Sequence, residues 1–182
     1  MFIPNTYEVK WNTNAGALMR RMKKEYDKFW TEDRLKKAEA LKLSPLQVST
    51  LASIVQSETV KQDEMPRVAG VYYNRLMQDM RLQADPTVVF AVRDFNIKRV
   101  LTRHLSYDSP YNTYRNKGLP PGPIRIPDIQ AIDAVLNMEK HEYMYFCAKE
   151  DFSGYHNFAK DYASHLIYAR KYQQALNAAG IK

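Results

Sequence analysis

Hydrophobic residues recur at helical intervals after the dipeptide Ser44-Pro45. The apolar positions are three or four residues apart: Val48, Leu51, Ala52 and Val55. This spacing places them on one face of an α-helix, and a serine followed by proline is a common helix start. We therefore predict a helix from residue 44 to about residue 60 with one face in the protein core.

Similar patterns predict most of the remaining secondary structure. Further helices are expected over about residues 14–29, 31–42, 66–80, 127–137 and 161–179. Residues 6–11 alternate and are rich in β-forming side chains, so we predict a short strand there. Residues 143–148 and 155–158 flank a turn, which predicts a β-hairpin.

The stretch from about residue 81 to residue 127 reads as short turns and loops. Six prolines interrupt it: Pro86, Pro110, Pro120, Pro121, Pro123 and Pro127. Its aromatic and amide side chains favour an ordered loop. The predicted fold class is α+β, a mostly helical domain with a small antiparallel hairpin and a long, ordered, proline- and tyrosine-rich loop that frames a cleft.

Composition and charge narrow the class of protein. Of the 182 residues, 45% are hydrophobic and 26% are charged, which is typical of a globular domain, and we expect residues 1–182 to form one domain. The net charge of +7 favours an acidic partner, which is a nucleic acid, an anionic membrane or a polymer bearing carboxylates. No apolar run approaches the roughly 18 residues of a membrane-spanning helix.

The sequence indicates neither a metal nor a cofactor. The four histidines lack the spacing of metal ligands: His104, His141, His156 and His165. No glycine-rich phosphate loop is present, so nucleotide cofactors are unsupported. We expect a protein that works without cofactors.

Glu58 is the first candidate for chemistry. At about 100° per residue it lies between Leu51 and Ile54 on the apolar side of the helix, opposite Thr50 and Ser53. Burial would raise the pKa of this carboxyl and keep it protonated for general acid catalysis. The alternative is a structural ion pair with a basic residue such as Arg67 or Arg75. The helical-wheel argument alone favours this alternative.

A second group of candidates lies in the proline- and tyrosine-rich stretch. Aromatic faces and amide groups together are typical of sugar-binding clefts. Asp85 either orients the substrate or Glu58, or caps a helix that begins at Pro86. The other candidates for binding substrate are Gln83, Tyr111, Asn112 and Tyr114. Each of them is also a candidate for holding the loop in place.

Several spaced motifs resemble one known family. LASIVQSET, MRLQADPTV, SPYNTY, GLPPGPI and YMYFCA followed by GYHNF are similar to motifs of the endolytic murein transglycosylases of the MltG or YceG-like type. The resemblance spans nearly the whole chain. It implies that the catalytic acid is Glu58, in the IV-x-x-ET pattern. Many members have a second glutamate two positions earlier, where this chain has Gln56.

The resemblance also implies a reaction and a setting. Family members cut the β-1,4 bond between N-acetylmuramic acid and N-acetylglucosamine within peptidoglycan strands and leave 1,6-anhydro ends. They carry a membrane anchor and a LysM-like portion upstream, so this chain is expected to be a catalytic fragment. The full protein would lie in the bacterial cytoplasmic membrane and face the wall, with wall synthases, the penicillin-binding proteins, as candidate partners.

Two other classes of function stay open on the sequence. A noncatalytic glycan-binding module would use the same aromatic cleft, with Glu58 in a structural role. A nucleic-acid-binding helical domain would rest on the net charge of +7, but the chain contains no recognised nucleic-acid motif. We expect peptidoglycan strands, and no nucleic acid, as the partner.

Overall fold

The computed structural model describes residues 2–97 and 99–180. Within them the helices are α1 (Ala15–Phe29), α2 (Glu32–Ala40), α3 (Pro45–Glu58), α4 (Met65–Met77), α5 (Asp85–Val92), α6 (Thr102–Leu105), α7 (Ile129–Leu136) and α8 (Tyr162–Ala178). The strands are β1 (Tyr145–Ala148) and β2 (His156–Ala159), which pair antiparallel. The predicted α+β class, mostly helical with one small hairpin, is confirmed.

The central helix is α3, and its start follows directly from the sequence. Ser44 and Gln47 form a reciprocal capping box, in which each side chain accepts the backbone N–H of the other. Eight consecutive residues, 48–55, are buried, because α3 packs against α2, α4, α5 and α7. The side of α3 that carries Thr50 and Ser53 is therefore inside the protein rather than in solvent.

Hydroxyl groups make this burial possible. Ser49 and Thr50 donate to the backbone carbonyls of Pro45 and Leu46, and Ser53 donates to the carbonyl of Thr50. Each of these three hydroxyls donates to a carbonyl of its own helix, so none of the three is buried without a partner. The spacing of apolar residues therefore predicts the buried face of α3 correctly, but it does not predict that the opposite face is buried as well.

The hairpin is fastened to α4 by two polar side chains. The amide of Asn74 donates to the backbone carbonyls of His141 and Tyr143. The guanidinium of Arg75 donates to the backbone carbonyls of Met144 and Leu82, both at 2.6 Å. Arg75 thus ties Met144, the residue just before β1, to the segment that precedes α5. These bonds are shielded from water, since only 7% of Arg75 is exposed.

Two predictions about local structure are wrong. Residues 6–11 form no strand; Val9 and Trp11 are exposed, and no strand among the described residues lies beside this segment to pair with it. The stretch 81–127 contains the eight-residue helix α5 and the short helix α6. Pro86 lies in the first turn of α5, where a proline costs no helical hydrogen bond.

None of the helices that the structure describes is long and apolar enough to cross a membrane.

Candidate active site

Glu58 is the last residue of α3. The phenol of Tyr72 on α4 donates a hydrogen bond of 2.6 Å to its Oε1. Tyr72 is 1% exposed, and its ring meets Phe146 of β1 edge to face at 5.7 Å. Two packed elements therefore fix the orientation of the Glu58 carboxyl.

Glu58 makes no ion pair with either arginine considered from the sequence. Arg67 forms an ion pair with Glu139 at 2.8 Å. Arg75 donates its hydrogen bonds to backbone carbonyls instead. The structure thus favours the general-acid interpretation of Glu58 over the structural ion pair.

Burial raises the pKa of Glu58 from the usual 4.5 to about 7. The hydrogen bond from Tyr72 lowers this pKa, the negative charge of Asp85 raises it, and the positive charge of Arg75 lowers it. Close to neutral pH such a group exists as both acid and carboxylate. A single residue can then first give and later accept a proton.

Asp85 is the second carboxylate of the site. It is the first residue of α5, and Oδ1 accepts a hydrogen bond of 2.5 Å from the phenol of Tyr114. The N-cap of α5 is Ala84, so Asp85 does not cap the helix as the alternative from the sequence proposed. Burial, followed by the contact with Asp85, raises the pKa of the Tyr114 phenol, which keeps it a donor.

Buried threonines place Tyr114 beside Asp85. The hydroxyls of Thr87 and Thr113 lie 2.8 Å apart, and Thr113 Oγ1 accepts the backbone N–H of Ala84 at 3.0 Å. Both threonines are almost fully buried. The loop that carries Tyr114 is thereby locked to the first turn of α5.

Both carboxylates line an open cleft of about 1110 Å³. Apolar side chains from α5 and the loop after it form part of the wall: Val89, Phe90, Phe95 and Ile97. Tyr172, Gln173 and Leu176 of α8 also line the cleft, and Arg99 and Arg125 add positive charge. Apolar faces beside charged and amide groups suit a ligand that is apolar on one side and polar on the other, as a sugar ring is.

The substrate-binding candidates Tyr111, Asn112 and Tyr114 are not among the residues that line this cleft. Asn112 is fully buried and donates to the carbonyls of Leu105 and Tyr107, so its side chain holds the loop. Tyr111 is half-buried, and its ring packs against Phe90 at 4.8 Å. Tyr114 reaches the site through Asp85.

Gln83 is exposed and lies outside the residues that line the cleft. Its backbone has φ of +50°, a left-handed conformation that is uncommon for any residue except glycine, asparagine and aspartate. The backbone N–H donates to the carbonyl of Thr113. Gln83 therefore shapes the entry to α5 through its backbone.

A second cavity of about 260 Å³ lies at the end of α3 and is lined by Gln56 and Thr59 there. Its lining is largely polar: Gln56, Thr59, Gln62, Arg125, Asp128 and Gln130, with Val60, Met65 and Ala131. Gln56 accepts the backbone N–H of Asp128 at 2.8 Å, and its amide donates to the carboxylate of Asp128. Arg125 lines both cavities.

His156 on β2 lies outside the cleft lining and is satisfied by Glu64. Its Nδ1 lies 2.6 Å from Oε2 of Glu64, which is itself 4% exposed. Among residues 2–97 and 99–180, no group of three or more His, Cys, Asp or Glu is arranged to hold a metal ion.

Sequence reasoning missed several residues of the site. In the sequence Tyr72 looks like one more aromatic residue on the buried face of α4, and only the packing of α4 against α3 brings its phenol to Glu58. Phe90, Phe95 and Arg99 lie in one stretch of the chain, whereas Arg125 and Tyr172 come from distant segments, and the sequence gives no signal that these three segments meet at one cleft.

The fold and the two carboxylates define the class, which is a mostly helical α+β domain with a candidate acid–base site in an open cleft. The model of the YceG-like family matches residues 1–171, and the chain belongs to this family. The resemblance carried by the sequence motifs is thereby confirmed.

Similar proteins are known from several bacteria. The chain is 39% identical over 136 residues to an endolytic murein transglycosylase of Bacillus subtilis strain 168, and 32% identical over 153 residues to one of Streptococcus pneumoniae serotype 2 strain D39. A crystal structure of a yceG-like protein from Listeria monocytogenes matches with a TM-score of 0.79 and 35% identity. That match covers 91% of this chain and 53% of the other.

The matches to the two transglycosylases cover 75% and 80% of this chain, but only 37% and 27% of those relatives. The chain therefore spans about a third of the length of the curated relatives that it matches.

Proposed function

We propose that this chain is the catalytic domain of an endolytic murein transglycosylase and that Glu58 is its acid and base. The observation that carries the proposal is the Glu58 carboxyl, which lines the large cleft, is held by Tyr72 and has a pKa of about 7. Support also comes from the relatives named endolytic murein transglycosylases.

The first step breaks the β-1,4 bond between N-acetylmuramic acid and N-acetylglucosamine. Protonated Glu58 gives its proton to the glycosidic oxygen as the bond to C1 of the muramic sugar breaks, and the bonding electrons leave with that oxygen. Tyr72 occupies Oε1 of Glu58, so the transferable proton belongs on Oε2. The N-acetylglucosamine leaves with a free hydroxyl, and C1 becomes positively charged.

The second step closes a ring. Glu58, now a carboxylate, accepts the proton of the C6 hydroxyl of the same muramic sugar. The oxygen of that hydroxyl bonds to C1 at the same time. The product is a 1,6-anhydro end, and Glu58 is protonated again. Because the nucleophile belongs to the substrate, one acid–base carboxyl is sufficient and no water has to be positioned.

Asp85 stabilises the positive charge that develops at C1 of the muramic sugar. Its carboxylate lines the same cleft, and the hydrogen bond from Tyr114 holds it in place. A fixed negative charge close to a developing positive charge stabilises the transition state without reorganisation. The same charge raises the pKa of Glu58, which favours the protonated form needed at the start.

A second candidate reaction, hydrolysis, has a specific basis in the structure. Asp85 and Glu58 share one cleft, and two carboxylates in one cleft are the usual equipment of glycosidases that use water. In that reaction water replaces the C6 hydroxyl, and the product has a hydrated reducing end.

Mass spectrometry of purified glycan strands treated with the protein distinguishes the two reactions. Internal fragments with 1,6-anhydromuramic ends, absent with Glu58→Gln, support the transglycosylase. Hydrated reducing ends, also lost with Glu58→Gln, identify a hydrolase. Binding of glycan without any cleavage identifies the noncatalytic module.

Murein lies outside the cytoplasmic membrane, so we also propose that the domain acts there. Peptidoglycan strands are its proposed partner, and wall synthases remain the candidate protein partners implied by the family. The test is fractionation of the native protein together with crosslinking in cells. Recovery in the cytosol would contradict the proposed location.

A further inference from the structure

The segment that carries Arg125 is fastened to α3 at two points close to Glu58. The backbone N–H of Ile124 donates to Ser53 Oγ at 3.0 Å, and the backbone N–H of Asp128 donates to Gln56 Oε1 at 2.8 Å. These anchors lie five and two residues before Glu58 in α3. The position of Arg125 is thereby tied to the helix that ends in the proposed catalytic acid.

Arg125 lines both cavities. It lines the large cleft together with Glu58 and Asp85, and it lines the smaller polar cavity beyond the end of α3. Its side chain is exposed, and among the residues that the structure describes no carboxylate forms an ion pair with it. The neighbouring carboxylate of Asp128 is already engaged by the amide of Gln56.

A second guanidinium lines the large cleft. Arg99 is exposed there, and within the described ranges, 2–97 and 99–180, no carboxylate forms an ion pair with it either. Among the described residues neither acidic residue of the same cleft forms an ion pair with these cations; Asp85 instead accepts a hydrogen bond from Tyr114, and Glu58 accepts one from Tyr72. The cleft therefore offers two guanidinium groups to a ligand.

A guanidinium presents parallel N–H donors that match the two oxygens of a carboxylate. The hydroxyl and acetamido groups of a glycan are neutral, so its carboxylates are the groups that such a site distinguishes best. In peptidoglycan these carboxylates come from two sources, the peptide stem and, where the stem has been removed, the lactyl group.

We propose that Arg125, assisted by Arg99, is a carboxylate-binding site that selects strands whose muramic residues carry a free carboxylate near the bond to be cut. The proposal rests on the proposed function of the cleft. Arg125 acts on binding and specificity, whereas Glu58 acts on bond cleavage. The two proposals therefore fail in different experiments.

The test measures binding in the Glu58→Gln background, in which no strand is cut. The probes are glycan fragments with peptide stems, fragments stripped by an amidase to leave lactyl carboxylates, and neutral chitin oligosaccharides of equal length. Each is titrated against the otherwise unaltered chain, Arg125→Gln and Arg99→Gln. Lys24→Gln, at an exposed position on α1, is the matched control for loss of one positive charge.

Arg125→Gln should weaken binding of the carboxylate-bearing fragments by about tenfold to a hundredfold, as expected for a lost charge-assisted hydrogen bond, and leave chitin binding unchanged. Arg99→Gln should give a smaller loss with the same selectivity, and Lys24→Gln none. A loss confined to stem-bearing fragments identifies peptide carboxylates, and an equal loss on stripped fragments identifies the lactyl group.

Three results would overturn the proposal. They are an equal loss on chitin, no loss on any probe, and no binding of any carboxylate-bearing fragment by the unaltered site. Cleavage assays with Glu58 restored test the catalytic proposal separately. Arg125→Gln should then lower kcat/KM on carboxylate-bearing strands mainly through KM.

Discussion

The phenol of Tyr72 hydrogen-bonds Oε1 of Glu58 at 2.6 Å, although the two residues lie 14 positions apart on different helices. A buried donor stabilises the ionised form of the carboxyl, whereas burial itself stabilises the neutral form. The pKa of about 7 is the balance of these effects. Changing either partner should therefore shift the pH dependence of the site.

Tyr72→Phe should move the basic limb of the kcat/KM profile to higher pH. The substitution keeps the ring that packs on Phe146 but removes the bond that lowers the pKa of Glu58, so Glu58 stays protonated to higher pH. The measurement is kcat/KM on glycan strands across the pH range. Tyr73→Phe, which loses only a bond to the carbonyl of Leu41, is the control, and an unshifted limb in Tyr72→Phe would contradict the account.

Asp85→Asn should move the same limb to lower pH. Its negative charge raises the pKa of Glu58, so loss of that charge lets Glu58 ionise earlier. We also expect kcat to fall by about a hundredfold, the usual effect of removing one electrostatic contribution to a transition state. Asp108→Asn, at an exposed ion pair with Arg115, should change neither quantity, and full activity of Asp85→Asn would refute its role.

Glu58→Gln should stabilise the protein at high pH. The folded pKa of about 7 lies above the usual 4.5, so the folded state binds a proton that the unfolded state has released. Stability is then lost as the pH rises through this window, by about 3 kcal/mol. A glutamine avoids that cost.

Urea unfolding at pH 5 and pH 8 measures this effect. The gain in the free energy of unfolding on Glu58→Gln should be larger at pH 8, while Glu8→Gln, at an exposed position, should show no such difference. The same gain at both pH values would mean that folding does not raise the pKa of Glu58.

Gly70→Ala should destabilise the fold by about 1–3 kcal/mol, the typical cost of overpacking. A Cβ at residue 70 would lie 2.6 Å from both the carbonyl oxygen of Glu139 and Nε2 of His141, and the backbone atom cannot move aside easily. Gly16→Ala is the matched helical control, because its nearest neighbours would be 3.5 Å away. Equal urea midpoints for Gly70→Ala and the unaltered chain would contradict this prediction, because they would show that the backbone at Glu139 shifts to make room for the added methyl group at little cost.

The sequence predicts the parts of the fold that local chemistry determines. The capping residues Asn14, Thr31, Ser44 and Asp161 mark the starts of four helices, and each accepts a backbone N–H there. Residues 6–11 show the limit of this reasoning. Their alternation is that of a strand, but a strand requires a partner, and partners are set by the tertiary fold.

The site is predictable to a similar extent. A carboxylate on an apolar helix face makes Glu58 a candidate, although that pattern alone favours a structural ion pair, and the family motifs point to the same residue. The roles of neighbouring polar residues depend on which way each side chain faces. Asn112 and Tyr111 both lie in the predicted loop, yet Asn112 is fully buried within it and Tyr111 packs against the ring of Phe90.

The most direct test of the central claim is the rate at which Glu58→Gln cuts purified peptidoglycan strands under single-turnover conditions. Glu139→Gln, which removes a carboxylate outside the cleft, serves as the control. We predict that Glu58→Gln remains folded and binds strands, but cleaves them at least about a hundredfold more slowly, while the control keeps its rate. Cleavage by folded Glu58→Gln at the unaltered rate would contradict the assignment of Glu58 as the acid and base.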